Sequence, residues 1–149
     1  PFMASGETDV PIRTKTAVLM FLRNEDPGRA FDRLAETKRS LDATGQGAQF
    51  DVFVLSDTDD PDVAVAEEKM FAERRASLGG LSAQYRRREV NTGFKAGNIR
   101  DFLDRWGDGY DFFLPLDSDS LMSGAAVLRM ARIMPWDAVV YDGCRVVAR

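Results

Sequence analysis

The sequence predicts an α/β domain of three layers, a mainly parallel sheet with helices on both faces, closed by a C-terminal hairpin. Three observations predict it. Apolar runs of strand length stand at 16–22, 51–55 and 112–116, and the first is continuous, as in strands buried on both faces. Segments with helical spacing of apolar residues lie between the strands. Asp-Pro pairs at 26–27 and 60–61 open two of those segments; Asp is a good cap there, and Pro fits the first helical position.

The elements follow in order. Residues 1–15 are a polar lead-in. Thr16–Leu22 (TAVLMFL) is the first strand. The helix opened by Asp26-Pro27 carries Phe31, Leu34, Ala35 and Leu41 on one side, and Gly45 can stop it. Asp51–Leu55 is the second strand. The helix after Asp60-Pro61 carries Val63, Ala66, Met70, Phe71 and Leu78, and ends at Gly79-Gly80. Ala83–Arg87 is the third strand. Asn98–Trp106 is helical, with Ile99, Phe102, Leu103 and Trp106 at i, i+3, i+4 and i+7, and Gly107 closes it. Phe112–Leu116 is the fourth strand, and Ser123 can cap a fourth helix with Val127, Leu128, Ala131 and Met134 inward. Ala138–Tyr141 and Cys144–Val147 flank Asp142-Gly143, a strong hairpin signal.

Composition limits the chemistry. The 149 residues include 20 Lys and Arg against 24 Asp and Glu, a formal charge of −4. With 44% hydrophobic residues this is one globular domain. Its acidity argues against general nucleic-acid binding, which needs a positive field. The single cysteine, Cys144, allows no internal disulfide and reads as structural. With no histidine, imidazole acid–base catalysis, Ser-His and Cys-His nucleophile pairs and His metal sites are all excluded. No apolar run approaches the ~20 residues of a membrane span, so a soluble chain is expected. Residues 1–5 do not read as a signal peptide; the chain does not begin with Met, which is compatible with a piece cut from something longer.

Three polar clusters stand just after strands: Arg23-Asn24-Glu25, Ser56-Asp57-Thr58-Asp59 and Asp117-Ser118-Asp119-Ser120. A parallel sheet brings all three to its carboxyl edge, where such folds bind ligands. Asp117 and Asp119 form a D-x-D whose hard oxygens suit Mg²⁺ or Mn²⁺; the alternative is a solvated acidic turn. Asp57 has its own alternative as a turn former, Glu25 as a charge at a helix N-terminus, and Asn24 as a turn residue. In Asn91–Asn98, two glycines frame Lys95 before a helix. That is the logic of a phosphate cradle, against a plain loop-to-helix turn. Arg86-Arg87-Arg88 reads first as a solvated strand end.

Together the clusters resemble a family-2 glycosyltransferase of GT-A fold, and more narrowly the glucans biosynthesis glucosyltransferase H family. The matching pieces are NEDP at 24–27, VLSDTDDPD at 54–62, VAEEK at 65–69, YRRR at 85–88, NTGFKAGNIRDF at 91–102, RWGDGYD at 105–111 and LDSDSLMSG at 116–124. On this likeness 16–134 is the nucleotide-sugar-binding part of a truncated GT-A domain and 135–149 a divergent tail. The resemblance implies an inverting transfer from UDP-glucose to a glucan acceptor, building periplasmic β-glucan. It also implies a membrane-embedded parent at the cytoplasmic face of the inner membrane. Asp57 would hold the uracil end, with Asn24, Glu25 and Lys95 along the nucleotide. Asp117 would meet the ribose or diphosphate side, and Asp119, with Asp117, the Mg²⁺ or Mn²⁺.

Two departures accompany the likeness. Phe21 stands where the family's first motif has proline. The family's catalytic-base motif, its Gln-x-x-Arg-Trp motif and its membrane helices are not found before Arg149, so no catalytic residue is assigned and the chain alone is expected to be inactive. Two other readings stand beside it. One is a non-catalytic nucleotide-sugar-binding module or inactive fragment. The other is a haloacid-dehalogenase-type phosphatase with Asp117 as nucleophile and Asp119 as acid–base, disfavoured by Leu121 and by the motif's late position. A truncated sheet would also leave an edge open to self-association.

Overall fold

The computed structural model describes residues 12–116 together with two short strands at 139–140 and 146–148. Four strands run parallel: β1 (Thr16–Leu22), β2 (Phe50–Ser56), β3 (Gln84–Arg87) and β4 (Phe112–Leu116). The spatial order is β3-β2-β1-β4-β6-β5. The chain therefore builds outward from β1 to β3, then returns to the far side of β1 to lay down β4. There β6 (Val146–Ala148) pairs antiparallel with β4, and β5 (Val139–Val140) antiparallel with β6.

Pleating sorts each buried strand between two cores. Val18, Met20 and Leu22 of β1, with Val52 and Val54 of β2, meet Phe31, Leu34 and Leu41 of α1 (Pro27–Ala43) and Phe71 of α2 (Pro61–Arg74). Ala17, Leu19 and Phe21, with Phe53 and Leu55, face the other way onto Ile99, Phe102 and Trp106 of α3 (Phe94–Trp106). This is the expected three-layer arrangement. On the α3 side the core is aromatic: the Phe53 and Phe102 rings meet edge to face at 4.9 Å, and Trp106 lies 5.1 Å from Phe53.

The caps act as the sequence predicts. Asp26 accepts from Gly28 N–H at 3.0 Å, and Asp60 from Asp62 N–H at 2.9 Å, each just before a proline. Three expectations need correction. The second helix does not run evenly to Leu78; past Arg74 it tightens into a 3₁₀ turn, Arg75–Leu78, before Gly79 at φ +117°. The third helix begins at Phe94 rather than Asn98, so Lys95 sits in its first turn and not ahead of it. The β5–β6 register pairs Val140 with Val146, whereas a two-residue Asp142-Gly143 turn would pair residue 140 with 145. The fourth helix expected after Ser123 lies outside the described residues.

Candidate functional site

At the carboxyl ends of β1 and β2, facing the start of α3, lies an open cleft of about 670 Å³. Its walls carry Glu25 from the loop after β1, Asp57 from the loop after β2, and Phe94 and Lys95 from the first turn of α3. Phe21 and Arg29 complete this part of the lining. Three of the residues expected at the site, Glu25, Asp57 and Lys95, thus share one cavity.

The loop after β2 continues the sheet. Asp57 N–H donates to the Leu22 carbonyl at 2.9 Å, so the backbone is fixed one residue past the strand. The Asp57 carboxylate is only 7% exposed. Arg88 donates to its Oδ1 through Nε and to its Oδ2 through Nη2, both at 2.7 Å. Such a two-pronged charge-assisted pair fixes orientation as well as charge. The Asp57 bond in turn pushes the Arg88 guanidinium pKa up, outweighing its partial burial. Arg88 also donates to the carbonyls of Thr92 and Phe94 at 3.0 Å each, which ties Asp57 to the turn that launches α3.

The basic run is therefore not a solvated strand end. Arg86 is 6% exposed, donates to the Asn98 side chain, and has Nε 3.0 Å from Asp101 Oδ2 as an ion pair without hydrogen-bond alignment. Burial pulls its pKa down, opposed by Asp101 and Asp57. Arg87 donates to the Thr58 carbonyl at 3.3 Å. The missed signal was periodicity: alternate residues of a strand share a face, and Arg86 and Arg88 are two apart. A bare triplet of arginines hides that.

Asn24 has a different place. It adopts φ +54°, a conformation that Asn tolerates better than most residues. Its side chain donates to Asp59 Oδ1 at 2.7 Å and accepts from the backbone N–H of Asp59 and Asp60 at 3.2 and 3.0 Å. It braces the β2–α2 loop and is not part of the cleft lining. That amide bond, aided by Arg23, holds the Asp59 carboxyl below the usual range.

Lys95 meets the residue that departs from the motif. Its ammonium lies 4.9 Å from the centroid of the Phe21 ring, within cation–π range. The glycines around it have steric reasons. Gly93 holds φ +75° at the helix start, and a Cβ on Gly97 would sit 1.8 Å from the Thr92 carbonyl oxygen. The tight backbone of this segment thus serves the close approach of loop and helix.

One buried acid escaped the sequence reading. Glu67, within VAEEK, is 0% exposed and accepts from the hydroxyls of Ser56 at 2.7 Å, Thr58 at 2.5 Å and Tyr85 at 2.7 Å. Burial, then the bond to Glu67, pushes the Tyr85 phenol well above its ordinary value.

Asp117 and Asp119 lie outside the described residues; they follow Leu116, whose partner in β1 is Met20. Among the described residues no group of three or more acidic or cysteine side chains could hold a metal ion. Nor is any described helix long and apolar enough to cross a membrane.

No protein-family model matches the chain. Three curated proteins similar to it all carry the name glucans biosynthesis glucosyltransferase H. That of Bradyrhizobium diazoefficiens is 46% identical over 123 residues, 83% of this chain and 16% of the relative. That of Caulobacter vibrioides is 44% identical over 135 residues, 90% of this chain and 20% of the relative. That of Vibrio cholerae is 44% identical over 131 residues, 87% and 18%. The chain thus spans a fifth or less of the length of these relatives.

Proposed function

Because this chain belongs to the glucans biosynthesis glucosyltransferase H family, we propose that it forms the donor-binding part of a glucosyltransferase that takes glucose from UDP-glucose. The convergence of Glu25, Asp57 and Lys95 on one cleft at the carboxyl edge of a parallel sheet carries this reading.

Each residue has a task its chemistry suits. Both Asp57 oxygens are engaged by Arg88, yet a carboxylate oxygen has a second lone pair. Asp57 can therefore still accept the imide N–H of uracil, while Arg88 keeps it aimed. Cytosine presents a lone pair at that position and would be repelled. Lys95 offers a compact positive charge to the diphosphate at a helix N-terminus that also favours anions. Glu25, on the opposite wall, can accept from the ribose hydroxyls. Asp119 with Asp117 would hold Mg²⁺ or Mn²⁺; their hard oxygens fit such an ion, which would neutralise charge on the departing diphosphate.

In the full-length protein the transfer would invert the anomeric centre and extend a periplasmic β-glucan from the cytoplasmic face of the inner membrane. The acceptor and the base that deprotonates it would be met elsewhere in the protein. Calorimetric titration of the 149-residue chain with UDP and Mg²⁺ tests the donor site. Binding is expected, with CDP at least tenfold weaker, and Asp57→Ala and Asp119→Ala should abolish it. Binding untouched by both substitutions would refute the assignment.

A further inference from the structure

We propose that Glu67 is the positioning residue of the donor site: from beneath, it sets the two loops that carry Asp57 and Glu25. The claim rests on the donor-site reading above and adds a residue that does not touch the ligand.

Glu67 is fully buried on α2, and its acceptors are taken by hydroxyls from separate points of the fold. Ser56 ends β2, Thr58 lies two residues on, and Tyr85 belongs to β3. Ser56 and Thr58 flank Asp57, so the acid grips the turn on both sides of the residue that faces the cleft.

The grip extends to the loop after β1. Thr58 Oγ1 donates to Glu67 and accepts from Asn24 N–H at 2.9 Å. Ser56 Oγ donates to Glu67 and accepts from Thr58 N–H at 3.1 Å. The Glu67 oxygens accept from both hydroxyls, which points their protons toward the acid and leaves their lone pairs for these two backbone N–H groups. Asn24, held at positive φ, immediately precedes Glu25. A single buried acid therefore orients both hydroxyls on the path from the β1 loop to the β2 loop.

Glu67→Gln keeps the shape but turns one acceptor into a donor. At least one hydroxyl then loses the acceptor for its own proton and faces a second donor beside the backbone N–H it already accepts, so the bonds that tie Asn24 N–H and Thr58 N–H into the path weaken. The expected results are faster amide hydrogen exchange at Asn24 and Thr58, by tenfold or more, with core amides of β1 unchanged, and a UDP-over-CDP preference that collapses at least tenfold. A merely destabilised chain would lose binding-competent fraction for both nucleotides alike and keep the preference. Thr58→Val, which keeps volume and removes the hydroxyl, should behave like Glu67→Gln, and Thr58→Ser should restore wild-type behaviour. This pair also decides the matter if Glu67→Gln fails to fold.

Unchanged exchange at Asn24 and Thr58 overturns the proposal, as does faster exchange with the preference intact. A wild-type chain with no preference for UDP would overturn the donor-site reading and the positioning role, leaving the exchange result to decide whether Glu67 holds the loops at all.

Discussion

Phe21 departs from the motif's proline, and its ring gives Lys95 a contact. With the ring beneath the ammonium at 4.9 Å, the lysine is steered across the cleft wall. A cation–π contact of this kind is worth ~0.5–1 kcal/mol at an exposed site. Phe21→Leu should therefore weaken UDP binding by about two- to fivefold by calorimetry, on top of any loss of folding stability from the α3-side core. Lys95→Ala should cost more, because it removes the charge itself. Lys38 is a second residue whose role is hidden in sequence. It is 5% exposed, and its ammonium donates to the carbonyls of Gly47 and Phe50 at 2.8 and 3.0 Å beside Asp42. Lys38→Met should leave those carbonyls short of a donor and cost about 1–3 kcal/mol in urea unfolding.

At the scale of elements, the loop-to-helix join at 92–97 is the most sterically constrained. Gly97→Ala places a methyl within 1.8 Å of the Thr92 oxygen, so backbone must move. Destabilisation on the order of 2 kcal/mol or more is expected from urea melts, with loss of UDP binding because Arg88 and Lys95 both depend on this turn. Asp60→Ala should cost a more ordinary ~1 kcal/mol, the usual value of a lost cap. The elements themselves were legible because their signals are local. Apolar runs gave β1 and β4 to the residue, and Asp-Pro gave both helix starts. The start of α3 was not legible, since Gly93 at positive φ and the approach of Thr92 to Gly97 are long-range packing facts. In the site, Glu25, Asp57 and Lys95 could be read from their place after strands or before a helix. Arg88, Glu67 and the bracing role of Asn24 could not, because each acts on a partner more than 30 residues away or through a hydroxyl that sequence does not orient: Arg88 reaches Asp57 across 31 positions and Asn24 reaches Asp59 across 35.

Over the whole molecule, the phenols of Tyr85 and Tyr110 are both pushed up, first by burial and then by hydrogen bonds to Glu67 and Asp51. The unfolded chain loses these protons near the ordinary value of about 10, while the folded chain keeps them. Their contribution to stability is therefore complete below pH ~10 and lost as pH rises beyond it. Urea-unfolding free energy should stay level from pH 7 to 9 and fall above 10, and Tyr110→Phe should flatten that fall. Level stability up to pH 12 would show that these phenols do not stay protonated in the fold.

The return of the chain from β3 to the far flank of β1 has a mechanical consequence. Residues 16–87 supply one jaw of the cleft, and the stretch beginning at α3 crosses beneath the sheet to supply the other. A nucleotide lodged there would act as a staple between early and late chain. Thermal melts should accordingly shift upward with UDP concentration, following the logarithmic law of a ligand that binds only the folded form.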